Sequence, residues 1–154
     1  MNYETADPDE FYERWRKVAN LFSYKHKVHG VNIQDLVKKI GEQQGNTIII
    51  DFSENNIPPG TYWNDSIRFI LIGEFLKTIK NEAEEAYRAK QLLNCPVVID
   101  EAHRLAPRED PETEDMKVVK DSLIDAIRTT RKYGLGWMFI SQTLSSLHRE
   151  IISQ

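Results

Sequence analysis

The feature that most narrows the fold is the placement of three continuous apolar runs along the chain. Residues 47–52 (Thr-Ile-Ile-Ile-Asp-Phe), 95–100 (Cys-Pro-Val-Val-Ile-Asp) and 135–143 (Leu-Gly-Trp-Met-Phe-Ile-Ser-Gln-Thr) are rich in β-branched and aromatic residues. Runs of this kind suit strands buried on both faces, as in a parallel sheet. Between them lie helix-patterned segments: 64–93, apolar in its first half and charged in its second, and 116–134, amphipathic and ending at Gly134. Strands alternating with crossover helices predict a parallel sheet with helices on its faces.

The flanks extend this pattern. Residues 7–25 place Phe11, Trp15, Val18 and Phe22 at roughly helical spacing, with Asp7-Pro8 as a start signal. Residues 32–45 bring Ile33, Leu36, Val37 and Ile40 onto one face, with Asn32 as cap and Gly41 or Gly45 as stop. Pro58, Pro59 and Gly60 mark a loop, residues 107–115 form an acidic loop, and 144–154 begin a further helix. The expected order is α-α-β-α-β-α-β-α, with a helical segment over 1–45 and an α/β part over 46–154.

At 154 residues the chain suits one domain with its own core. A net charge of −4 excludes a chain that is basic throughout, though not a local basic patch. Cys95 is the single cysteine and has no partner for an intramolecular disulfide, which suits a reducing compartment. No stretch resembles a signal peptide or reaches membrane-spanning length. A cytoplasmic location without a membrane partner is expected.

In a parallel sheet the ligand crevice lies beyond the carboxyl ends of the strands. Asp51 and Ser53 fall there after the first run, Asp100, Glu101 and His103 after the second, and Ser141, Gln142 and Thr143 at the end of the third. Dehydrated polar groups cost free energy unless paired, so such convergence points to a ligand. Asp100 suits Mg²⁺, which prefers a few hard carboxylate oxygens and retained waters. Glu101 can face a water aligned for attack on a γ-phosphate, and Gln142 can orient that water or sense the phosphate. This is phosphoryl transfer by positioning and electrostatics. An Asp-Glu pair after an apolar run also serves as a solvated turn with a capping acid. The polar Ser-Gln ending the next run favours the nucleotide.

Taken together, "VVIDEAHRLAP", "RKYGLGWMFISQTLSSLHREI" and "GNTIIIDFSE" resemble the core of the HerA–FtsK superfamily of ring ATPases, closest to the HerA-like DNA translocases. The resemblance covers roughly residues 45–154 and implies part of a RecA-like P-loop core, with 1–45 belonging to a helical insertion. It implies Asp100 as the Mg²⁺-side acid, Glu101 as catalytic base and Gln142 as sensor, with Asp100 and Ser141 on the ATP side. Arg131 would reach into a neighbouring subunit's nucleotide, with Arg128 as the alternative; a helix end collecting cations against its dipole also accounts for such clusters. A homohexamer on double-stranded DNA, working with a NurA-like nuclease, would follow. The G-x-x-x-x-G-K-[ST] phosphate loop is absent. The chain is therefore expected to be a piece of a longer ATPase, inactive alone.

Other readings stay open. A degenerate, non-catalytic interaction module would also lack the phosphate loop, and a secretion or conjugation ATPase shares the superfamily. The letters of "DEAH" match the DEAH-box helicases, but no Ser-Ala-Thr motif follows. His26 and His29 lack companions for a metal site, and Trp15, Tyr24 and Trp63 read as packing residues. His103 is expected to hydrogen-bond near the acids without a catalytic role.

Overall fold

The computed structural model describes Asp9, Tyr12, Trp15, Arg16 and residues 32–42, 45, 47–57 and 62–153. In chain order its elements are α1 (Ile33–Glu42), α2 (Asp65–Arg88), β1 (Cys95–Ile99), α3 (Glu114–Thr130), β2 (Leu135–Phe139) and the short α4 (Arg149–Ile152). The fold is mixed α/β. β1 and β2 pair in parallel, with Cys95 opposite Leu135 and Ile99 opposite Phe139, and α3 makes the crossover between them.

Local chemistry explains the helix starts. Asn32 Oδ1 accepts the Gln34 N–H at 2.8 Å, and Asn64 Oδ1 accepts that of Ile67 at 2.9 Å. The Thr113 hydroxyl accepts the Met116 N–H at 3.3 Å. α3 therefore begins inside the expected acidic loop, and Glu114 and Asp115 occupy its first turn, where the helix dipole favours anions.

Apolar residues of α2 and α3 (Phe69, Ile72, Leu76, Val119, Leu123 and Ile127) form the main core with Ala106 and Ile151, and Ile99, Trp137 and Phe139 pack against it. A second cluster joins Val37 of α1 to Ile79, Ala83, Tyr133 and Leu135. Both clusters lie on one side of the sheet. Cys95, Val97 and Ile99 are half-buried, whereas Val98 is 54% and Met138 58% exposed. The expectation of strands buried on both faces is thus corrected among the described residues. The helices cover one face, and strand alternation turns every second side chain away from them.

The expected strand at 47–52 is also corrected. The segment keeps a strand-like alternation, with Ile48, Ile50 and Phe52 half-buried and Ile49 85% exposed. It is not assigned to a strand and pairs with no other segment among the described residues. Beyond it the Asp51 carboxylate accepts the Ser53 N–H at 2.7 Å and the Asn56 side-chain amide, curling the chain into a short turn. A continuous apolar run calls for burial, and it does not by itself supply a ladder partner.

The third run ends as a strand at Phe139, leaving Ser141, Gln142 and Thr143 in the following loop. Of the expected helix at 7–25, Asp9, Tyr12, Trp15 and Arg16 are helical, and Tyr12 and Trp15 are exposed. Phe11, Val18 and Phe22 lie outside the described residues, as do Tyr24, His26, His29 and Pro58–Gly60. No described helix is long and apolar enough to cross a membrane.

Candidate functional site at the strand tips

The parallel pairing continues past the strand ends. Ile140 N–H donates to Ile99 O at 2.9 Å, and Ala102 N–H donates back to Ile140 O at 3.0 Å. This holds the Asp100-Glu101 turn beside Ser141 and Gln142. Asp100 Oδ1 accepts the Glu101 N–H at 2.8 Å. Glu101 itself sits at φ 51°, ψ 41°, a left-handed conformation costing a residue with a Cβ roughly 1–2 kcal/mol. Such strain persists where its surroundings over-determine it.

The side chains form a continuous set. Gln142 Nε2 donates to Glu101 Oε1 at 3.4 Å, and His103 Nε2 lies 3.4 Å from Glu101 Oε2. His103 Nδ1 in turn lies 3.3 Å from Ser141 Oγ, which is also 3.2 Å from Thr143 O. Both Glu101 oxygens are therefore engaged, one from each side. These contacts are long, so the carboxylate is guided rather than locked. Glu101, Gln142, Ser141 and His103 are brought together as four neighbours, with Asp100 adjoining through the backbone.

Asp51 and Ser53 approach from another side. A cleft of about 840 Å³ separates residues 47–53 from the free edge of β1. Asp51, Asp100 and Glu101 line it together with Arg68 and Arg104. Hydrogen bonds from the Ser53 backbone and side chain, then from Asn56, hold the Asp51 carboxyl below its usual range. Gln142 and Ser141 lie outside this lining, so the cleft meets the four-residue set only at its acidic side. The two arginines escaped the sequence reading; the nearness of Arg104 to Glu101 was the available signal.

Arg128 and Arg131 differ sharply. The Arg128 guanidinium is in ion-pair contact with Glu150 of α4. Arg131 is exposed and has no ion pair or hydrogen bond from its side chain among the described residues. It precedes β2, whereas Gln142 follows it. Five residues of strand, about 17 Å, thus separate Arg131 from the tips of its own sheet.

No described group of three or more His, Cys, Asp or Glu residues could enclose a metal ion. Mg²⁺ bound to a nucleotide needs only one or two carboxylates beside phosphate and water oxygens, so Asp100 is the residue that could hold it. Asp100 has one oxygen turned to the Glu101 N–H and the other uncommitted among the described residues. No family model, curated protein or solved structure matches the chain.

Proposed function

We propose that residues 46–154 belong to the core of a RecA-like, HerA-type ATPase that couples ATP hydrolysis to movement along double-stranded DNA. The observation carrying this reading is the meeting of Glu101 and Gln142 across adjacent parallel strand tips, with Asp100 beside them. A carboxylate flanked by an amide at that edge can take a proton from a water while the amide holds the water or the γ-phosphate. Asp100 and Ser141 would lie on the nucleotide's phosphate side, and Asp100 would hold the Mg²⁺, which when bound would neutralise charge on the phosphate oxygens.

Arg131 is the arginine offered to a neighbouring subunit. Its guanidinium, without a partner among the described residues, and its distance from its own strand tips suit action in trans, whereas Arg128 is already engaged by Glu150. A ring of identical subunits follows from that role, and its hexameric size, the DNA substrate, the NurA-like nuclease and a cytoplasmic setting follow from the resemblance. The phosphate loop has to come from chain beyond these residues. Its absence from the sequence also suits a second reading, a non-catalytic assembly module derived from such a core, against which the retained Asp100, Glu101 and Gln142 argue.

The deciding experiment is ATP hydrolysis by the longest native chain carrying this segment, with and without double-stranded DNA. Hydrolysis stimulated by DNA is expected. Glu101→Gln should abolish turnover and leave ATP bound, and Arg131→Ala should lower turnover by roughly 10³-fold or more at unchanged affinity. No hydrolysis by the native chain would favour the assembly module. Normal turnover in either variant would remove that residue from the mechanism. The 154-residue chain alone should bind Mg-ATP weakly, and micromolar binding would count against a missing phosphate loop.

A further inference from the structure

We infer that His103 is a positioning residue for Glu101, an inference that rests on the proposed role of Glu101 as base. His103 occupies the short turn immediately after Glu101, and its ring bridges the two strand tips. Nε2 faces Glu101 Oε2 at 3.4 Å and Nδ1 faces Ser141 Oγ at 3.3 Å. Gln142 meets the other carboxylate oxygen at 3.4 Å. Glu101 is thus held between an imidazole and an amide, and the imidazole is anchored to the loop that carries the amide.

The arrangement has a consequence for catalysis. A carboxylate on a left-handed backbone turn has no helix or strand of its own to fix its side chain. Rotation about its side-chain bonds would carry the oxygens away from an attacking water. Removing a lateral support that misplaces a reacting group by about 1 Å can cost on the order of 100-fold in rate. In the tautomer with its proton on Nε2 the imidazole donates to Glu101 Oε2, and Nδ1 accepts from the Ser141 hydroxyl. His103 touches neither phosphate nor water in this role and acts through Glu101.

Amide substitutions separate the two ring nitrogens. Gln at 103 places its amide nitrogen near Nε2, keeping the donor to Glu101. Asn places its amide near Nδ1, keeping only the contact with Ser141. In the full native chain, His103→Ala and His103→Asn should each lower kcat by about 10- to 100-fold with KM for ATP unchanged. His103→Gln should restore most of kcat. Wild-type kcat in His103→Ala, or equal loss in the Gln and Asn variants, would overturn the positioning role. Glu101→Gln run alongside separates the two ideas: if it stays active, the proposed base fails, and if it is dead while His103→Ala is not, only the present inference fails. Independently of turnover, imidazole ¹⁵N spectra of the nucleotide-free 154-residue chain should show Glu101→Ala shifting Nε2 and Ser141→Ala shifting Nδ1. Unmoved resonances would also overturn it.

Discussion

At the scale of the residue, the most demanding polar contact is the one that ties β2 to the end of α3. Thr130 is fully buried; its hydroxyl donates to Ala126 O at 2.6 Å and accepts the Trp137 indole N–H at 2.9 Å. Thr130→Val keeps the shape and strands the indole donor, at a cost of about 1–3 kcal/mol. Chemical denaturation should show that loss, and combining it with Trp137→Phe should cost less than the two separate losses added together. An unchanged midpoint would mean that the indole finds another acceptor. Threonine at a helix end and tryptophan in an apolar run were both visible in the sequence, but their pairing was not. It depends on how α3 crosses the sheet. The strand-tip set behaves alike: Asp100, Glu101, Ser141 and Gln142 were legible from their place after apolar runs. The bridging of His103 between Glu101 and Ser141 needed the register of β1 against β2.

At the scale of the element, the turn from α3 into β2 is locked against the turn from α2 into β1. Leu93 N–H donates to Tyr133 O at 3.1 Å and Cys95 N–H to Gly134 O at 3.0 Å. Gly134 has φ 85°, and a Cβ there would meet Asn94 N at 2.9 Å and Leu92 Cβ at 3.0 Å. Gly134→Ala should therefore cost about 2 kcal/mol or more, from left-handed strain and from a collision with backbone that cannot swing aside. Thermal melting reads this directly, and a wild-type melting temperature would refute the packing described. Glycine as a helix stop was legible at this position. Its second duty, admitting the neighbouring turn, was not. The helices 65–88 and 114–130 were legible from periodicity and caps, whereas the pairing of 47–52 was over-read, because apolar content reports burial and says nothing about the edge a segment meets.

At the scale of the whole molecule, the described sheet has helices on one side and an apolar surface on the other. Val98, Met138 and Ile140 are each about half exposed, and Val98 pairs directly with Met138 across the two strands. Contiguous apolar surface of this kind binds hydrophobic probes. The chain should enhance the fluorescence of an apolar dye, and Met138→Lys should reduce that signal while changing stability by no more than about 0.5 kcal/mol. A large loss of stability instead would show that this face is covered in solution. Cys95 starts β1 on the opposite, covered side, and burial pushes its thiol above the usual value.

What the sequence determined by itself is local or one-dimensional: where helices begin and stop, which runs are apolar enough for β1 and β2, and which acids and amides follow them. Capping, periodicity and burial propensity act over a few residues, so they can be read without a partner. What only the tertiary structure decided is pairwise. The parallel register set Gln142 and His103 on either side of Glu101, α4 claimed Arg128 and not Arg131, and among the described residues no segment pairs with 47–52. Each of these turns on which distant segment arrives alongside, and that is settled by the packing of α2 and α3 over one face of the sheet.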